Sequence, residues 1–252
     1  CKVLVVGGGT GGCSTGAKLS RILKKNELII LEPSDSHYYQ PLFTLVGGGV
    51  YKVADARKNM GDVLPRNATW LKDQAAEFSP KSNSVVTAKG DTIEYDFILV
   101  ATGLQTDYDK IPGLIEALNM DNGGVGSNYS YKYTERTFKA LNNFESGNAI
   151  FTYPNTPVKC PGAPQKICYI ADHYLRKVGK RNNANIMYNT SLPVIFGVKK
   201  YADALWKYSM MHVTPPMSSP SPLKKCTDLV NEAGFVDVNP ATMQSSRFPN
   251  VF

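Results

Sequence analysis

A chain of 252 residues has room for one large or two ordinary domains and can bury a sizeable core. Its net charge of +7 is carried by scattered lysines and arginines, with only short clusters such as Lys24-Lys25, Lys199-Lys200 and Lys224-Lys225, so a solvated basic surface is expected and no nucleic-acid partner. Five cysteines, odd in number and widely spread (Cys1, Cys13, Cys160, Cys168, Cys226), suit neither a secreted disulfide framework nor a zinc site, which leaves redox or nucleophilic work for any special one and no metal.

The chain opens on the apolar run Val3-Leu4-Val5-Val6 and passes at once into Gly7-Gly8-Gly9-Thr10-Gly11-Gly12. Gly7, Gly9 and Gly12 fall on the G-x-G-x-x-G spacing, in which the first turns the chain, the second admits a pyrophosphate and the third packs helix against strand. A helix-like segment follows from Cys13 to about Lys25, then the strand Leu28-Ile29-Ile30-Leu31, which ends on Glu32, twenty positions beyond Gly12. A carboxylate there suits a ribose hydroxyl and argues against a cofactor with a 2′-phosphate. Glycines cluster in any turn, but strand, glycines, helix, strand and acid in this order point to a dinucleotide site.

Pro33 to Pro41 is a polar and aromatic loop that two prolines bar from continuing a strand, and it is expected to lie over the cofactor. Its His37 has no Cys or second His nearby and reads as a loop hydrogen-bonder. Leu42 to Val50, with Gly47-Gly48-Gly49, has the look of a short apolar helix ending in a flexible turn. Thr69 to Phe78, Val85 to Ala88 and Thr92 to Tyr95 are predicted to form a small meander. Tyr95 to Val100 then reads as a buried parallel strand running into Ala101-Thr102-Gly103. No run approaches the roughly 18 apolar residues of a membrane span. The chain starts directly on its first strand, which is uninformative about a targeting segment.

Tyr129 to Phe144 has helical spacing (Tyr133, Phe138, Leu141, Phe144), with an aromatic stripe that is most simply core and Gly147 as its close. Asn148 to Tyr153 is predicted to be the strand of a second βαβ unit, where a pyridine-nucleotide enzyme would carry another glycine loop. In its place stands Pro154-Asn155-Thr156-Pro157-Val158-Lys159-Cys160-Pro161-Gly162-Ala163-Pro164-Gln165-Lys166. Four prolines remove amide donors, so a second pyrophosphate has no cradle and NADH is not the expected electron donor. Cys160 is placed at the mouth of the following helix, about Pro164 to Val178, with Lys159 beside it and Lys166 in the first turn. Helix N-termini and cations favour the thiolate, so Cys160 reads as reactive, the alternative being a buried, inert thiol. Cys168 reads as core.

The strand, meander and strand ending in Ala-Thr-Gly resemble the flavoproteins with two dinucleotide-binding domains. Tyr153 to Lys166, Phe196 to Leu205, Ser36 to Pro41, Gly126 to Ser130 and His212 to Ser218 resemble, over nearly the whole chain, the eukaryotic mitochondrial sulfide:quinone oxidoreductases. That resemblance implies an α/β fold of two Rossmann-like βαβ domains, the second incomplete. Residues 1–113 would bind FAD and carry the small meander, 114–217 would form the second domain with the redox cysteine, and 218–252 would return toward the first. It implies flavin contacts at Gly7, Gly9, Thr10, Gly11 and Gly12, ribose binding by Glu32, and further contacts at Gln40, Ala75 and Gly103. Cys160 matches one of two redox cysteines that hydrogen sulfide converts to a persulfide. Electrons then pass through the flavin to ubiquinone, and the sulfur leaves to an acceptor such as glutathione or sulfite. A mitochondrial inner-membrane location is implied in the same way.

The resemblance breaks at two places. Between Leu205 and Met210 only Trp206 to Ser209 fills what is a long stretch in the family, and the chain stops at Phe252, short of the family's Gly-Asp motif, second redox cysteine and membrane helices. A fragment, a splice product or an incomplete gene model is the expectation. Cys168 lies about 12 Å along a helix from Cys160 where a disulfide needs about 7 Å, and Cys226 sits in a polar Pro/Ser/Lys stretch, so neither replaces the missing partner. Two alternatives stay open: another FAD-dependent pyridine-nucleotide or quinone oxidoreductase, and a catalytically inactive FAD-binding remnant.

Overall fold

The computed structural model describes residues 1–193 and 213–252 and divides into two compact units: Cys1–Tyr38 with Arg57–Gln105 and Ser219–Phe252, and Tyr39–Ala56 with Thr106–Ser218. The motif from Phe196 to Leu205, the shortened stretch before Met210, and His212 lie outside the described residues.

The first unit is built on a parallel sheet. Strands β1 (Val3–Val6), β2 (Leu28–Leu31), β5 (Thr69–Leu71) and β9 (Phe97–Val100) stand in the order β5-β2-β1-β9. Val3 pairs with Leu28 on one side and Phe97 on the other. At the β9 edge Ile98 bridges Val251, and the Phe252 amide donates to the Ile98 carbonyl at 3.0 Å. Alternation along β1 divides the core. Leu4 and Val6 face a cluster with Leu31, Phe78, Val85, Ile93 and Leu229, while Val3 and Val5 face Cys13, Leu28, Ile30, Met60 and Leu64. With both faces covered, unbroken apolar runs are what the strands require. Each fully buried Leu or Ile here contributes about 1.5–3 kcal/mol.

Three local expectations are corrected. Thr69–Leu71 is no part of the meander: it pairs parallel with β2, because its apolar face completes the main sheet, and the meander proper is β6 (Ala75–Ser79), β7 (Ser84–Thr87) and β8 (Thr92–Glu94). Between the two prolines, Ser36–Tyr38 forms strand β3, paired antiparallel with β4 (Arg57–Asn59), since the prolines fall outside it and its own amides are free to pair. The first helix, α1, runs Thr10–Leu19, starting earlier and ending sooner than its apolar spacing suggests. The chain turns after it through Asn26, at φ 69°.

In the second unit, strand β11 (Gly147–Tyr153), helix α6 (Ala163–Lys177) and strand β12 (Ala184–Thr190) make a βαβ unit, with β11 and β12 parallel from Gly147 opposite Ala184 to Tyr153 opposite Thr190. Ile167, Cys168, Ala171 and Leu175 form the apolar stripe of α6 and pack with Phe151, Ile186 and Leu141. Leu141 comes from α5 (Thr134–Asn142), which ends before Gly147; that glycine opens β11 instead, at φ 111°. Helix α2 (Phe43–Gly47) lies against α5, and the Thr134 hydroxyl donates to the Phe43 carbonyl at 2.8 Å.

The far end of α6 is tied to β12 by Asp172, which accepts from Arg176 Nε at 2.7 Å and from Arg181, whose own guanidinium also donates to the Ala184 carbonyl at 3.0 Å. Burial works against the Asp172 charge, but the two arginines outweigh it and hold its pKa below the ordinary value. A carboxylate depressed in the folded state gives its full contribution above its unfolded pKa and loses it as pH falls through the folded one. Asp172→Asn is therefore expected to remove on the order of 1–3 kcal/mol of stability at neutral pH. It should also flatten the loss of stability that the parent shows below about pH 4 in urea titrations at successive pH values.

Candidate functional site

The turn from β1 into α1 is shaped by contacts that leave no room for side chains. A Cβ on Gly12 would stand 1.8 Å from the Gly7 carbonyl oxygen and 3.2 Å from Val5 Cγ1, so only glycine lets α1 lie this close to the strand. Gly7, at φ 108°, would place a Cβ 2.4 Å from the Ala101 carbonyl. Gly9, the N-cap of α1, differs: a Cβ there meets nothing within 4 Å, and Gly9, Thr10 and Gly11 are exposed. The first turn of α1 has no acidic residue and no side-chain cap, and Lys18 lies in its last turn. Its leading amides and the positive end of its dipole therefore suit an anion, and the space over Gly9 is open.

Glu32 follows directly on β2, beside this turn. Its carboxylate accepts from the Gly8 amide at 2.7 Å with one oxygen and from the Ser34 amide at 2.7 Å with the other. Each oxygen keeps further lone-pair capacity, so the acid can still accept a ribose hydroxyl. A cavity of about 290 Å³ opens here, with Gly7, Glu32, Ala75, Thr102, Pro220 and Leu223 among its walls. Glu32, Ala75 and Gly7 are thus brought together. Gly103, at φ 68°, follows Thr102 and is not among the lining residues. Gln40 belongs to the second unit, where its Oε1 accepts from Lys159 Nζ at 3.2 Å.

Sequence spacing overlooked Gly8. Its amide holds Glu32, its carbonyl receives the Cys13 thiol at 3.0 Å and lies 3.3 Å from His37 Nδ1, and a Cβ on it would press on Glu32 Cγ at 2.7 Å. Nor did local pattern identify Pro220, Pro222 and Leu223 as cavity walls; the Pro-Ser-Pro run was the available signal.

In the second unit Cys160 is exposed. The turn Cys160-Pro161-Gly162-Ala163 is closed by the Ala163 amide on the Cys160 carbonyl at 3.3 Å and leads directly into α6. Lys166 donates its amide to the Gly162 carbonyl in the first turn. Burial of its ammonium head lowers the pKa of Lys159, although the residue as a whole is exposed. The other thiols of this region and the first unit are of a different kind. Burial, then Asp172, pushes Cys168 up to about 12; burial also raises Cys13 and Cys226, whose thiol donates to the Phe78 carbonyl at 3.2 Å.

A glycine loop on a parallel sheet with an acid at the end of the second strand defines a dinucleotide-binding α/β protein. The Pyridine nucleotide-disulphide oxidoreductase family matches residues 1–151. The mitochondrial sulfide:quinone oxidoreductase of Mus musculus is 42% identical over 291 residues, covering all of this chain and 64% of the relative. That of Schizosaccharomyces pombe is 33% identical over 308 residues, covering all of this chain and 67% of the relative. Among solved structures, the sulfide:quinone oxidoreductase of Aquifex aeolicus superposes with a TM-score of 0.81 at 20% identity, over all of this chain and 67% of that one, a likeness of fold. The chain belongs to the sulfide:quinone oxidoreductase family, whose members are FAD-binding flavoproteins. It spans 64% of the length of the Mus musculus and Dictyostelium discoideum relatives. The Mus musculus match extends over 39 more positions than this chain has residues, so that relative carries stretches without a counterpart here.

The two kinds of glycine separate in a direct test. Gly12→Ala is expected to destabilise the first unit by at least about 1–3 kcal/mol through overpacking. Gly9→Ala should cost under about 1 kcal/mol yet weaken FAD binding, because its methyl enters the space over the helix N-terminus. Urea unfolding and FAD fluorescence titration of both variants read the difference.

Proposed function

We propose that this chain is the FAD-binding and sulfur-handling portion of a sulfide:quinone oxidoreductase. The observation that carries it is the exposed Cys160 in a proline-rich turn at the head of α6, in the position of a second glycine loop, within a chain whose first glycine loop is complete. The unit containing Gly7, Gly9, Thr10, Gly11, Gly12, Glu32, Ala75 and Gly103 is assigned to FAD, and the unit containing Cys160 to sulfur chemistry. Amides at the head of α1 bind the pyrophosphate, and Glu32 accepts a ribose hydroxyl. Bound there, FAD supplies a two-electron acceptor.

Cys160 takes the sulfur of hydrogen sulfide as a persulfide. A bond forms between that sulfur and Cys160 Sγ, sulfide loses two electrons and its protons, and ubiquinone, as final acceptor, gains two electrons and two protons. A nucleophilic acceptor such as glutathione or sulfite then removes the outer sulfur and frees the thiolate. Cys168 and Cys226, buried among apolar side chains with raised pKa values, are not assigned as its partner. The prolines of the Cys160 turn withhold the amides that NADH would need. By likeness to the relatives we assign the protein to mitochondria, at the inner membrane; among the described residues no helix is long and apolar enough to cross a membrane.

The positions missing relative to the Mus musculus protein favour one second reading, a remnant that binds FAD or a nucleotide without turnover. Anaerobic visible spectra of the chain with FAD, before and after sulfide, decide. Bleaching of the flavin or a long-wavelength band on adding sulfide, abolished by Cys160→Ser, is the expected result. A yellow protein indifferent to sulfide supports the remnant, and bleaching by NADH instead would sink the proposal.

A further inference from the structure

The Cys160 turn is held from two sides by segments distant in sequence. Tyr129 is 5% exposed, and its phenol donates to the Cys160 carbonyl at 2.9 Å, alongside the Ala163 amide that closes the turn. One residue earlier, the Lys159 amide donates to Met217 Sδ at 3.2 Å. Met217 is 2% exposed, and its own amide donates to Thr156 Oγ1 at 3.1 Å, back in the same loop. The backbone about the cysteine is thus gripped by buried groups while the thiol faces outward.

We propose that Tyr129 is a positioning residue for Cys160, with Met217 as its counterpart on the amide side; this rests on Cys160 being the sulfur-handling residue. A prolyl turn fixes φ of Pro161 and confines the preceding residue to the extended region, but leaves it freedom in ψ within that region. The phenol removes that freedom by holding the carbonyl, and so sets the direction of the Cα–Cβ bond relative to the head of α6. Burial raises the Tyr129 pKa and outweighs the lowering by a side-chain contact with Thr214, so the phenol stays a donor across the working range. Neutral hydrogen bonds of this kind are modest in energy, but the rate of a thiol reaction is sensitive to displacements of about 1 Å.

The test uses the full chain with FAD present and follows labelling of Cys160 by iodoacetamide, peptide by peptide, across the pH range in which thiols titrate. Tyr129→Phe keeps the ring and removes the donor. It is expected to slow labelling of Cys160 roughly three- to tenfold across that range, with labelling of Cys1 and FAD binding unchanged. Met217→Leu keeps the apolar volume, removes the thioether acceptor, and should change Cys160 labelling in the same direction; it serves alone should Tyr129→Phe not fold. A Cys160 curve that superimposes on the parent's in the folded variants overturns the proposal. Labelling needs no turnover, so a parent flavin indifferent to sulfide would count against the assigned function and leave this result standing.

Discussion

The first unit depends on one near-contact, that of Gly12 with the carbonyl of Gly7. Where a Cβ would lie 1.8 Å from that oxygen, no side chain is possible, and helix α1 can settle against β1 only because none is there. The close approach aims the head of α1 at the end of the sheet and leaves Gly9 open above it. It also brings Gly8 to Glu32, whose carboxylate is then oriented by two backbone amides. Steric exclusion at one position, charge at a helix end and a held acid are in this sense one construction.

Much of this was legible in the sequence. Apolar runs gave the strands because a sheet covered on both faces needs them, and the spacing of Gly7, Gly9, Gly12 and Glu32 follows from local geometry alone. What local pattern missed depends on partners far along the chain. Thr69–Leu71 could join the main sheet only once β2 was in place beside it, and Ser36–Tyr38 became a strand only by meeting Arg57–Asn59. Gly8 lies between two motif positions, and nothing in the spacing says that its amide will hold Glu32. Ala75 and Gln40 were reached by resemblance; the first lines the cavity, whereas the second sits with Lys159 in the other unit.

The cysteines show how environment divides one residue type among tasks. Cys13, Cys168 and Cys226 are buried, and desolvation of the thiolate raises each of them, so they behave as small apolar side chains. Cys160 alone of the four lies exposed, in a turn where Pro157 and Pro161 withhold amide donors on either side.

The two βαβ turns of the chain therefore occupy equivalent places in their units and have opposite chemistry. In the first, glycines expose backbone amides, and the turn is suited to an anion brought from solution. In the second, prolines withdraw those amides, and the buried phenol of Tyr129 and thioether of Met217 take over the fixing of the backbone. A turn that offers few donors of its own must be held from outside, and a turn so held can present a sulfur to solvent without surrendering its direction. The fold supplies the same helix N-terminus twice, and the residues placed before it differ: open glycines at the head of α1, a proline-flanked exposed cysteine at the head of α6.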